Sequence, residues 1–168
     1  MALRNVLSLP DETLLKKSRE VTSFDDKLWV LLDDMYQTLK EHSGIGIAAV
    51  QVGILRRAIV IDVGDGSGLI ELINPVIVQK KGNQSELEGC LSFPGMWGYV
   101  ERPSYIRVKS LNRHGKPQTH EGYELLAIAL SHEIDHLDGV MFNEKASELL
   151  DREPTEEEQN RRRRKRRR

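Results

Sequence analysis

The fold turns on the stretch Glu124-Leu125-Leu126-Ala127-Ile128-Ala129-Leu130-Ser131-His132-Glu133-Ile134-Asp135-His136-Leu137. Leu125, Leu126, Ile128, Ala129 and Leu130 leave little polar surface over the first turns. The spacing predicts a helix from about Glu124 to Leu137, apolar nearly all round. The rest of the chain has to enclose such a helix. Its second half carries His132, Glu133, Asp135 and His136 into that interior. Positions i and i+4 share a face roughly 6 Å apart, so imidazoles at 132 and 136 can reach one metal ion at about 2.0–2.1 Å. Glu133, about 100° further round, stands near enough to act on a water there without ligating the ion. Two histidines and two carboxylates on a buried helix are costly without partners, which favours a metal centre over a chance spacing.

What surrounds the helix reads as strands in the middle of the chain and helices at its ends. A helix over 25–42 presents Leu28, Leu31, Leu32, Met35 and Leu39 as one stripe, capped by Ser23 or Thr22 and stopped at Gly44. Strands are expected at 57–63, 69–73, 76–80, 104–111 and 117–122, with turns at 64–68, 82–83 and 112–115. A short helical turn opens at Pro10-Asp11-Glu12. The expected fold is α+β: a mostly antiparallel sheet packed around the buried helix, with a C-terminal helix or basic tail. Residues 1–150 read as one catalytic domain, and 151–168 as a charged extension, helical in part or disordered. No apolar run approaches a membrane span, and Met1-Ala2-Leu3-Arg4-Asn5 carries no signal-peptide pattern, so a cytoplasmic protein without membrane contact is expected.

A catalytic ion normally takes three protein ligands and water, so one ligand is missing from the helix. The extended pattern H-E-x-x-H-x-x-G-x-x-H fits at Gly139 but fails at Phe142, which cannot ligate. Glu153 and Glu156 lie in a highly charged tail, a poor place for a rigid ligand. Cys90, the only cysteine, lies in Glu88-Gly89-Cys90-Leu91-Ser92, where Gly89 lets backbone approach closely. It is the better third ligand. One thiolate and two neutral imidazoles leave a divalent site with a net charge of about +1, which preserves its power to acidify water. His42, His114 and His120 read as solvated loop residues.

Three segments now stand in order: Gly44-Ile45-Gly46-Ile47-Ala48-Ala49-Val50-Gln51, Glu88-Gly89-Cys90-Leu91-Ser92 and His132-Glu133-Ile134-Asp135-His136. Their order and spacing resemble the peptide deformylase family, whose signatures are G-x-G-x-A-A-x-Q, E-G-C-L-S and H-E-x-D-H. The likeness runs from about residue 3 to 147 and includes Leu9-Pro10-Asp11, Ile73-Asn74-Pro75 and Arg102-Pro103. It implies removal of the formyl group from the N-terminal methionine of newly made polypeptides, with Glu133 as general acid/base. Cys90, His132 and His136 would hold one divalent ion per chain, Fe2+ by resemblance, with Ni2+, Co2+ or Zn2+ as substitutes. The Gln51 side-chain amide and the Leu91 backbone N–H would stabilise the oxyanion. Gly44, Ile45 and Gly46 would pair with the substrate backbone, with Gly89 also on the substrate side. Leu125, Ile128 and Ala129 would line the methionine pocket with Ile45. Glu88, Arg102 and Asp135 would orient the ligands, Arg102 as a partner for Asp135. Two departures fall beside the site: Ser131, where the family commonly has Gln, and Phe93-Pro94-Gly95-Met96-Trp97 after Ser92.

The charge is split. The chain carries −1 in total, yet residues 161–168 (RRRRKRRR) hold eight positive charges, so the first 160 residues carry nine more acids than bases. Thr155-Glu156-Glu157-Glu158 reads as a capping box, and Glu157–Arg161 and Glu158–Arg162 are favourable i,i+4 pairs. Repulsion within the run argues that its last two turns stay disordered in isolation. An enzyme acting on nascent chains gains from lingering at the ribosome, so the tail is expected to dock on ribosomal RNA. A monomer is expected. Two other functions fit part of the sequence: a zinc endopeptidase with the same helix, which would not need Cys90, and an RNA-binding module with a structural metal, which would need a fourth ligand.

Overall fold

The computed structural model describes residues 1–166. Helix α1 spans Asp26–Glu41, begun by Asp25, whose side chain accepts a hydrogen bond from Leu28 N–H. Strands β1 (Gly46–Ala48), β2 (Ala58–Ile61), β3 (Ile70–Lys81), β4 (Gln84–Cys90), β5 (Phe93–Arg102), β6 (Tyr105–Leu111) and β7 (Pro117–Tyr123) precede helix α2 (Leu125–Leu137). A short helix α3 (Phe142–Lys145), strand β8 (Ala146–Leu150) and helix α4 (Glu156–Arg166) follow. Two antiparallel sheets result, one of five strands in the order β1-β2-β3-β6-β7 and one of three in the order β4-β5-β8.

Strand β2 explains how two helices share one sheet. All four of its residues are buried. Ala58 and Val60 pack with the α1 stripe of Leu28, Leu31, Leu32, Met35 and Leu39. Ile59 and Ile61 point the other way, into a cluster with Leu125, Ala129, Leu130 and Ile134 of α2. The period of two along the strand thus sends alternate residues to opposite helices. Helix α2 is enclosed as its composition requires, with ten of its thirteen residues buried.

Asp25 caps α1 in place of the expected Ser23 or Thr22, and two features of the sheets also depart from the expected elements. The stretches 69–73 and 76–80 form one strand, β3, whose register against β6 shifts between Ile73 and Val76. Asn74 makes that shift possible by adopting φ 53° and clasping Val21, accepting from its N–H at 2.8 Å and donating to its carbonyl at 2.9 Å. Residues 84–102 carry no clean alternation, yet they form the β4–β5 hairpin, with Gly89 opposite Trp97.

Helix α4 opens with a reciprocal capping box: Glu158 N–H donates to Thr155 Oγ1 at 3.2 Å, and Thr155 N–H to Glu158 Oε2 at 2.7 Å. Among the described residues the Glu157–Arg161 and Glu158–Arg162 ion pairs expected from spacing do not form. Glu158 is taken by Arg152 at 2.9 and 3.0 Å and by the Tyr99 hydroxyl, and Arg161 reaches across to Glu86 at 3.1 Å. Lys165 joins Glu86 at 2.8 Å and Glu124 at 3.2 Å. These acids of the body offset the like-charge repulsion, and the helix continues to Arg166.

Candidate active site

Helix α2 sets His132 and His136 one turn apart with their Nε2 atoms 3.2 Å from each other. Strand β4 ends at Cys90, whose Sγ lies 3.3 Å from His136 Nε2. One ligand atom from each residue falls within 4.8 Å of the others. Behind them stands a buried charge relay. His132 Nδ1 donates to Glu88 Oε1 at 2.8 Å, and Arg102 grips Glu88 with two bonds of 2.9 and 3.0 Å. Arg102 also bonds Asp135 at 2.6 Å, and Lys145 joins Asp135 at 3.0 Å. The Arg102–Asp135 contact read from the sequence is present, but the bidentate grip on Glu88 is the larger part of what Arg102 does. Burial pushes Glu88 up, yet His132 and Arg102 outweigh it and hold the carboxyl below its ordinary value. Burial pulls His132 down, and the Cys90 sulfur and Glu88 more than reverse this, leaving it well above an ordinary imidazole. Burial and then the charges of His132 and Arg102 hold His136 well below one.

Glu133 is buried beside this cluster, with Oε1 4.0 Å from His136 Nε2 and no hydrogen-bond partner. Burial raises its pKa to about 7. Gly46 of β1 makes room for it: a Cβ there would stand 2.7 Å from Glu133 Oε2. Gln51 is held at both ends. Its Oε1 accepts from Ala48 N–H at 2.9 Å, and its Nε2 points to Ser92 Oγ at 3.1 Å and Cys90 Sγ at 3.6 Å. It therefore caps its own segment and also presents an amide N–H to the site. Leu91 follows Cys90 directly, in the turn between β4 and β5. Converging thiol and imidazole donors beside an unpartnered buried carboxylate oxygen suit one divalent ion.

The sequence matches the family model described as polypeptide deformylase over residues 3–152. The chain belongs to this family. It is 51% identical over 156 residues to a peptide deformylase of Acetivibrio thermocellus, covering 93% of this chain and 91% of that protein. It is 50% identical over 147 residues to peptide deformylase 1 of Bacillus subtilis, covering 88% and 92%. The crystal structure of a peptide deformylase from Legionella pneumophila superposes with a TM-score of 0.83 at 40% identity, covering 98% of this chain and 94% of that one.

In this deformylase-family chain the cluster opens into a cavity of about 420 Å³. Gly44, Ile45 and Gly46 line one part of it, and Leu125, Ile128, Ala129 and Gly89 another, so the residues expected on the substrate side do meet in one space. His42, expected in solvent, stands exposed on its rim. His120 lies within β7, and burial lowers its pKa. Of the two departures, Ser131 is buried with its hydroxyl unpartnered. Trp97 packs flat against Gly89, where a Cβ would meet its ring at 2.7 Å. The sequence reading missed the last contributors, Arg162, Lys165 and Arg166 of α4, which line the same cavity and lie beyond the stretch matched to the family. Only the charge run signalled them, and charge alone gave no reason to place them there.

Proposed function

We propose that the chain removes the formyl group from the N-terminal methionine of new polypeptides, with Cys90, His132 and His136 as the ligands of one divalent ion. The reading rests on one observation above all: three ligand atoms converge beside a buried Glu133 oxygen that has no other partner. When bound, the ion supplies Lewis acidity toward water and the formyl oxygen. Glu133 takes the proton of the attacking water and hands it to the leaving amine, a task suited to a carboxyl kept close to neutrality by burial. The Gln51 amide, fixed by Ala48, and the Leu91 backbone N–H donate to the developing oxyanion, with little reorganisation at the moment of reaction. Glu88 holds His132 with Nε2 free to ligate, while Arg102 holds Glu88 and is itself held by Asp135. Gly44, Ile45 and Gly46, with Gly89 across the cavity, receive the peptide backbone, and Leu125, Ile128 and Ala129 receive the methionine side chain.

Ferrous iron is the proposed ion, with nickel, cobalt or zinc as substitutes, since two imidazoles and a thiolate suit several borderline metals. The proposed setting is a cytoplasmic monomer that visits the ribosome through the cationic run 161–168, in which Arg163 and Arg164 are exposed and the last two residues lie outside those described. Among the described residues no helix is long and apolar enough to cross a membrane. The deciding assay measures formate release from a formyl-methionyl peptide before and after chelation. Activity that disappears with chelator and returns with ferrous or nickel ion is the expected result. Turnover that ignores a chelator shown to strip the protein of metal would overturn the reading.

A further inference from the structure

One wall of the catalytic cavity comes from the C-terminal helix, and its charges are not equivalent. Lys165 and Arg161 are matched by Glu86, with Glu124 adding a second acid to Lys165. Glu88, another carboxylate of the cavity, is covered by Arg102 and His132. Arg162 differs. Its guanidinium carbon lies 4.9 Å from the centre of the Trp97 ring, and among the described residues no carboxylate forms an ion pair with it. The acid one turn earlier, Glu158, is occupied by Arg152, Tyr99 and Thr155. Glu153, which lines an adjoining hollow, makes no ion pair with it either. Burial pulls the Arg162 pKa below the usual guanidinium value, and the neighbouring Arg166 charge adds to this, outweighing the more distant charges of Glu88 and Glu86. A half-dehydrated cation on an aromatic platform, with no carboxylate in contact, gains most from an anion brought in from outside. It opens into the cavity that also holds Glu133, where the occupant is a peptide.

We propose that Arg162, laid on Trp97 and backed by Arg166, is a specificity-determining residue that receives an aspartate or glutamate side chain of the substrate, within the three residues after its methionine. This rests on the deformylase reading and adds a preference to it. The test uses full-length, metal-loaded protein and amidated tetrapeptides, formyl-Met-Ala-Ala-Ala-amide with each alanine replaced in turn by Glu or Gln. At low salt, Glu is expected to exceed Gln in kcat/KM by about three- to tenfold at one of the positions, chiefly through KM. At about 0.5 M salt the preference should at least halve. Arg162→Gln and Arg162→Met, which keep the stem on Trp97, should bring the ratio close to one, and Arg162→Lys should keep part of it. Arg164→Gln removes the same charge from an exposed position of the same helix and should keep the ratio. The Gln peptides report folding of every variant, so lost structure is not read as lost preference. A ratio near one at all positions in the wild type overturns the proposal. So does a preference that Arg162→Gln and Arg162→Met both retain, or one that Arg164→Gln abolishes equally. Absence of formate from every Gln peptide with the wild type would instead bring down the deformylase reading, and this proposal with it.

Discussion

A single methyl group added at position 46 is enough to move Glu133, the proposed proton carrier. The Cβ of Gly46→Ala would stand 2.7 Å from Glu133 Oε2, and backbone in β1 cannot yield without disturbing its pairing to β2. A displacement near 1 Å at a catalytic group can cost about 100-fold, so kcat should fall by about that factor while elemental analysis finds the metal content unchanged. Unaltered kcat would show that Glu133 has slack. The proposed roles of proton carrier and metal ligand separate in the same way. Glu133→Ala should keep the metal and lose about 10²–10⁴ in turnover, whereas Cys90→Ala should lose metal and activity together. Full metal occupancy in purified Cys90→Ala would remove the thiolate from the ligand set. Placement at this scale was legible where residue type and helical period jointly restrict the geometry, as at His132, Glu133 and His136, which the fold brings together. The stacking of Arg162 on Trp97 was not, because a contact between distant residues leaves no period in the sequence.

Between elements, the β4–β5 hairpin is tied to α2 by Arg102, which bonds Glu88 of β4 and Asp135 of α2. Both Arg102 and Glu88 are buried. Arg102→Ala would leave the Glu88 carboxylate without its bidentate partner, and removal of one member of a buried pair costs about 3–5 kcal/mol. Denaturant titration at neutral pH should find a loss in that range, and a loss below about 1 kcal/mol would mean that His132 alone holds the carboxylate. The same pair dictates the acid limb. Folding holds the Glu88 pKa below its unfolded value, so its stabilisation is complete above that unfolded value and is lost as pH falls through the lower, folded one. Helices α1 and α2 were readable from their spacing because each buries a continuous face. The hairpin was not. Its residues alternate between a buried ion pair, glycines and a tryptophan, and such a pattern looks polar until its partners are known.

Across the whole molecule, the candidate metal centre joins two sheets that otherwise fold on separate strands. Cys90 belongs to the three-stranded sheet, while His132 and His136 ride on the helix that covers the five-stranded one. An ion bound only by the folded state at a free concentration of about 100 Kd adds about 2.7 kcal/mol. In a chain of this size that corresponds to a rise of about 5–10 °C in Tm. Calorimetry of loaded and chelated protein should show it, and equal midpoints would place the ligands on parts that do not need one another. The α+β class was legible because strands and helices segregate along the chain, but the second sheet was not, since it is built on the β4–β5 hairpin and on β8, a five-residue strand that pairs with β5 late in the sequence. Strand β2, enclosed by a helix on each face and a strand on each edge, has a consequence in time as well as in space. Its amides can meet solvent only when the molecule opens as a whole, so they should be the last to exchange their hydrogens. Two of the three residues that would grip the ion stand on α2, packed directly against that slow centre. Escape of the ion should then wait for global opening, and its transfer to an external chelator should quicken with temperature in step with the unfolding rate.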